Sequence, residues 1–167
     1  SSSMTALEAY ARRAEEYTAL LGSVEAMAPV DVRRIETWAR TFCGPLLDLG
    51  CGPGHWTAHL AALGLDVEGW DPVEEFVRIA RDRHPDTVYR RAALAELEGR
   101  PRTWGGILVW YSLIHLEPAE MPGALAALRG ALRPGGTLLL GFFDGTRQEP
   151  FDHAVAPAQH WPVGRMT

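Results

Sequence analysis

The residues of this chain best placed to do chemistry are two acids and a run of glycines. Asp48 stands near the end of the apolar run Leu46-Leu47-Asp48-Leu49, and Gly50, Gly52 and Gly54 follow at alternate positions with Cys51 between them. Glycine has no Cβ and tolerates positive φ, so such a bend can turn sharply, expose backbone N–H groups and let a bulky ligand lie against the main chain. His55 to Leu63 then reads as a helix, giving the strand, bend and helix of a nucleotide-type site. The dinucleotide fingerprint G-x-G-x-x-G would need a glycine at position 55, where this chain has His55, and a nicotinamide site is disfavoured. The second acid, Asp71, closes the alternating segment Asp66-Val67-Glu68-Gly69-Trp70-Asp71, twenty-three positions after Asp48. One βαβ crossover fills that interval. A carboxylate at the tip of a neighbouring strand can accept two adjacent hydroxyls, as on a ribose. Pro72 follows at once, so Asp71 also reads as a helix N-cap.

The pattern Asp48-x-Gly50-x-Gly52-x-Gly54 resembles the first motif of class I S-adenosylmethionine-dependent methyltransferases. The resemblance implies that Asp48 faces the methionine end of the cofactor, that Gly50, Cys51, Gly52 and Gly54 wrap it, and that Asp71, with Pro72 beside it, takes the ribose. It runs on through Ile107-Leu108-Val109-Trp110, a buried strand opening into Tyr111-Ser112-Leu113-Ile114-His115-Leu116. Next come a helix with Leu125, Leu128 and Leu132 on one face, the stop Arg133-Pro134-Gly135-Gly136, and the buried strand Thr137 to Phe143. Tyr10 to Tyr17 resembles the Y-x-x-x-A-x-x-Y lead-in helix that lids the cofactor in small-molecule members. Its tyrosines are two helical turns apart and share a face, which equally suits packing on the core. Tyr17 is assigned to the cofactor, Tyr10 and Tyr111 to the acceptor pocket, and Trp110 to shaping the cofactor site.

A sulfonium already activates its methyl group, so a nucleophile needs mainly to be held in line and water excluded. If a proton must leave, a base must stand at the mouth of the fourth strand, and His115 is the candidate for both catalysis and the acceptor pocket. The competing reading of His115 is a packed or capping residue. His55 and His59 lie four apart, but no glutamate stands between them and no third ligand is evident, so no metal is expected. His55 is placed instead at a helix N-terminus, near the cofactor carboxylate. Relatives carry an acid after the third strand for the adenine amino group. Here Arg91-Ala92-Ala93-Leu94 offers none, and the main chain of Ala93 and Leu94 is expected to bracket the ring. The loss of such a bond is worth about 1 kcal/mol.

These residues need an α/β scaffold: a three-layer sandwich with a Rossmann-like, mainly parallel sheet, entered by a helical segment. Residues 1–3 read as an expression scar before Met4, residues 4–42 as an N-terminal helical lid, and residues 43–167 as the cofactor-binding domain. In the helical segment Ile35 and Trp38 give an apolar face and Arg33, Arg34 and Glu36 a solvated one, while Trp56, Leu60 and Leu63 read as core. Beyond Phe143 no hairpin pattern appears among Pro150, Pro157 and Pro162, so the sheet is expected to lack the C-terminal strand pair of the full fold. That would leave the fifth strand as an apolar edge, and a truncated C-terminus or a homodimer covering that edge is expected.

With 167 residues, 47% hydrophobic and 22% charged, the chain suits one globular core. A formal charge of −5 offers no basic field for nucleic acid or anionic membrane, and all the cationic side chains are arginine. Cys43 and Cys51 make no disulfide framework, and a cytoplasmic location is expected. The reading is therefore transfer of a methyl group from S-adenosyl-L-methionine to a small-molecule acceptor. The alternative is a cofactor-binding homologue without activity.

Overall fold

The computed structural model describes residues 5–110, 117–141 and 161–162. The chain runs α1 (Ala6–Leu21), α2 (Pro29–Ala39), β1 (Leu46–Leu49), α3 (His55–Ala62), β2 (Val67–Asp71), α4 (Glu74–Arg83), β3 (Val88–Arg91), β4 (Trp104–Trp110), α5 (Met121–Ala131), β5 (Leu132–Gly141) and β6 (Trp161–Pro162). The strand order is β3-β2-β1-β4-β5-β6. The first five strands are parallel, and β6 pairs antiparallel with Thr137 and Leu138. The order reverses direction between β1 and β4, which opens a crevice beyond the carboxyl ends of those strands.

β1 and β4 are buried along their whole length because helices cover both faces of the sheet. On one face Leu47, Leu49, Ile107, Val109, Leu138 and Leu140 pack with Leu128 and Ala131 of α5. On the other, Leu46, Leu108, Leu139 and Trp110 meet Ile35 and Trp38 of α2 and Trp56 and Leu60 of α3. The amphipathic reading of α2 holds: Trp38 even donates its indole N–H to Thr137 Oγ1 on β5 at 3.0 Å. Thus α2 is part of the core, while α1 brings Tyr17 to the glycine bend.

Three local expectations change. Leu63 lies beyond the end of α3 and is exposed, because Leu65 N–H and Gly64 N–H close the helix on Leu60 and Ala61. Leu132 is not on the helix but opens β5, buried beside Trp104, and the register of β4 on β5 shifts at Trp104/Gly106 where Arg133 to Gly136 bulge. The edge of β5 is partly paired, since β6 occupies its Thr137–Leu138 end, and no strand pair follows among the described residues. No described helix is long and apolar enough to cross a membrane.

Candidate functional site

The bend after β1 has the backbone its sequence requires. Gly50, Gly52 and Gly54 have φ of 77°, 56° and 85°, a region that costs other residues 1–2 kcal/mol or so. Gly50 and Cys51 N–H groups both donate to Trp70 O of β2, which fastens the bend to the strand carrying Asp71. Beneath it, Tyr89 of β3 donates its hydroxyl to Gly54 O at 2.8 Å. A Cβ on Gly54 would lie 2.6 Å from that ring. A Cβ on Gly52 would meet only Tyr17 Cε1, at 3.9 Å, so the outer face of the bend is open up to α1.

The two acids are held differently. Asp48 is almost fully buried and accepts a short hydrogen bond from Thr57 Oγ1 at 2.6 Å. Burial pushes its carboxyl up to about 7, the nearby Asp71 charge adds to that rise, and the Thr57 bond opposes it. Asp71 accepts the N–H of Gly52 on Oδ2 and that of Val73 on Oδ1, both at 2.9 Å. Each oxygen keeps a further lone pair for a ligand hydroxyl. Burial raises this carboxyl too, and the two backbone bonds lower it. The N-cap reading of Asp71 changes: α4 starts at Glu74, so Pro72 precedes the helix and Asp71 closes a short turn onto Val73.

Tyr17 of α1 leans over both acids. Its hydroxyl is pushed up in pKa by burial, then by Asp71 and Asp48. Its ring meets Phe76 of α4 edge-on at 5.6 Å. Arg83 Nη1, donating to Gly22 O at 3.0 Å, and Arg78, 3.6 Å from Glu15, tie the same two helices together. His55 opens α3, buried, with Nδ1 lacking a hydrogen-bond partner among the described residues. Burial, with His84 and Arg83 nearby, lowers it to about 4, so the imidazole is neutral at pH 7 and can donate one hydrogen bond to an anion.

Not every expected residue converges here. Trp110 packs in the core with Trp38 and Trp56, and its ring lies against Gly141, where a Cβ would be 2.6 Å away. Ala93 N–H is already held by Glu96 Oε2 at 2.7 Å, which leaves Leu94, the first residue of a 3₁₀ turn, as the main-chain candidate after β3. His59 bonds Glu36 Oε1 at 2.8 Å and takes no part in the bend. Tyr10 lies in α1, and its side chain is outside the description. Tyr111 and His115 lie outside the described residues. Thr57 and Tyr89 were not foreseen. A hydroxyl on the first turn of the helix that follows the bend was the signal available for Thr57.

The site fits a ligand with a cationic and a dihydroxy end. Asp48 offers a desolvated carboxylate, Asp71 a carboxylate braced by two N–H groups, Gly52 an open backbone face, and His55 an unpartnered ring nitrogen at a helix start.

Comparison with known proteins identifies the family. The profile of the methyltransferase domain matches residues 46–136, just over half of the chain. The trans-aconitate 2-methyltransferase of Mycolicibacterium gilvum (strain PYR-GCK) is 32% identical over 152 residues, 88% of this chain and 52% of that protein. An uncharacterized methyltransferase of Mycobacterium tuberculosis (strain H37Rv) is 34% identical over 104 residues, 62% of this chain and 41% of its own length. The chain therefore spans about half the length of the curated relatives it matches, or less. The solved DhpI–SAH complex superposes with a TM-score of 0.65 at 27% identity, covering 82% of this chain and 67% of that one. SAH, S-adenosylhomocysteine, is what S-adenosylmethionine becomes on losing its methyl group.

Proposed function

The chain belongs to the class I S-adenosylmethionine-dependent methyltransferase family, and from that premise we propose that it transfers a methyl group to a small-molecule acceptor by in-line displacement. The observation that carries this reading is the pairing of Asp48 and Asp71 across a glycine bend whose open face is roofed by Tyr17. When bound there, the cofactor supplies an electrophilic methyl group that its sulfonium charge has already activated.

The residues divide the work of binding. Asp71, its carboxylate fixed by Gly52 and Val73 N–H, accepts the ribose hydroxyls. Asp48 faces the methionine end, where a cationic ammonium relieves the cost of a buried carboxylate. Gly50, Cys51, Gly52 and Gly54 let the ligand lie on the main chain, and His55 donates toward the cofactor carboxylate. Pro72 and Leu94 flank the adenine side. Tyr17 closes the cleft, excluding water from the displacement and restricting the approach of the acceptor. His115, with Tyr10 and Tyr111 beside the acceptor, is the base for an acceptor that must lose a proton.

The small-molecule class is supported by the acidic charge of the chain and by a relative named for a small organic acid. Incubation of the protein with isotopically labelled cofactor and a panel of small carboxylic acids, phenols and amines tests the reading. Label transfer that falls at least tenfold in His115→Gln, with S-adenosylhomocysteine affinity kept, is the expected result. Failure to bind S-adenosylhomocysteine at micromolar level, or equal binding of NAD, would overturn the cofactor assignment.

A further inference from the structure

A cleft of about 470 Å³ lies at the other end of the sheet, lined by Arg40, Phe42, Cys43, Gly105, Arg133 and the Pro134–Gly136 turn, among others. It sits at the amino-terminal ends of β4 and β5, roughly a strand length, about 15 Å, from the glycine bend. Among the described residues no Asp or Glu lines it. In a chain with more acids than bases, Arg78, Arg90, Arg91 and Arg100 each stand within 4 Å of a described carboxylate, whereas neither Arg40 nor Arg133 does.

Arg133 is held rather than loose. Its Nη2 donates to Thr103 O at 3.2 Å. Its guanidinium packs close against Gly44, where a Cβ would come 2.6 Å from Nη1 and 2.9 Å from Cζ. Gly44 has φ of 104°, so the chain uses a residue with both the room and the torsion that this close contact needs. Arg40, at the C-cap of α2, is exposed. The carboxyl end of α2 adds about half a negative charge, against two full guanidinium charges.

We propose that this cleft is a second ligand site, one that binds the oxyanion group of a small molecule, phosphoryl or carboxylate, between Arg40 and Arg133. A pre-oriented guanidinium fork matches two oxygens of such a group, and the second arginine adds charge with no competing acid among the described residues. The volume exceeds what an inorganic ion fills and lies within the range of small-metabolite pockets. Phe42, whose ring also packs over Gly106, supplies an apolar wall for the rest of the molecule. The site is separate from the cofactor cleft and does not depend on the methyl-transfer reading.

Calorimetric titration of the intact chain at low salt with inorganic pyrophosphate and, in a parallel arm, with citrate tests it. The expected result is saturable one-site binding at submillimolar level, weakened about tenfold or more in both Arg40→Gln and Arg133→Gln. Tighter binding of pyrophosphate assigns a phosphoryl ligand, and tighter binding of citrate a carboxylate. Arg133→Lys should lose most of the affinity as well, because it keeps the charge but not the fork. Unchanged S-adenosylhomocysteine affinity in each variant shows that the fold is intact. Absence of saturation up to about 10 mM, or saturation that survives both glutamine substitutions, would overturn the proposal.

Discussion

The raised carboxyl of Asp48 makes cofactor affinity depend on pH, and the dependence can be worked out. The carboxyl stands at about 7 in the protein alone. A ligand that presents a cation to Asp48 requires the carboxylate form, so the observed association constant scales with the ionised fraction. That fraction is about 0.9 at pH 8, 0.09 at pH 6 and 0.01 at pH 5 for a single group with this pKa. Affinity for S-adenosylhomocysteine should fall about tenfold between pH 8 and pH 6, and about another tenfold by pH 5. Binding should also release about 0.9 proton at pH 6 and about 0.1 at pH 8. Calorimetry in buffers of different ionisation enthalpy reads both quantities. His55, held near 4, stays neutral over this range and adds no slope. Asp71, whose carboxyl is also raised, acts in the same direction, so the slope left in Asp48→Asn belongs to Asp71. An affinity flat from pH 5 to 8, with no buffer dependence, would refute the placement of Asp48 opposite a cation.

The same group links pH to stability. Because the folded pKa lies above the unfolded one, the folded protein binds the extra proton between pH 4 and 7, and stability falls as pH rises through that window. The rise from 3.8 to about 7 corresponds to about 4 kcal/mol as a ceiling. Asp48→Asn should therefore raise the melting temperature at pH 7.5 while weakening S-adenosylhomocysteine binding; a lower melting temperature would contradict it. Asp71→Asn loses charge-assisted acceptance from Gly52 and Val73 and, as proposed above, from the ribose, and should weaken S-adenosylhomocysteine binding ~10–100-fold by calorimetry. In Gly54→Ala a methyl group is forced against Tyr89 at positive φ, and denaturant titration should show a loss of about 2 kcal/mol or more. Tyr17→Ala should speed cofactor release measured by stopped flow, with little change in melting temperature, since the side chain is half exposed.

The central bend was legible because its signal is local. Three glycines at alternate positions after an apolar run dictate a sharp positive-φ turn whatever surrounds them, and the spacing to Asp71 fits one crossover between parallel neighbours. The observed pairing of Asp48 with Gly69 and Leu49 with Trp70 puts Asp71 one step beyond the register of β1, next to the bend. What was not legible depends on side-chain direction or on distant partners. Trp110 ends a strand buried on both faces, where alternation carries no inside–outside signal, and the choice of face went to the core. Tyr89 reaches Gly54 from a strand thirty-five residues away. The Glu96 bond to Ala93 N–H depends on a 3₁₀ turn that six residues of sequence do not announce.

The energetics of the bend point to the ligand more sharply than its shape does. Two carboxylates are buried on adjoining strands with no arginine among the described residues against either, although the chain has sixteen cationic side chains to place. Thr57, Gly52 and Val73 supply neutral hydrogen bonds only, which moderate the cost of burial without removing it. An arginine there would neutralise the carboxylates and fill the space a ligand needs. The arrangement keeps Asp48 high in pKa and therefore responsive to a ligand that brings its own positive charge, with part of the binding free energy coming from relief of an unfavourable carboxylate. Thr57→Val separates the two contributions. It should raise the Asp48 carboxyl further and shift the affinity profile to higher pH, whereas a profile that stays in place would mean that Asp48 does not control binding.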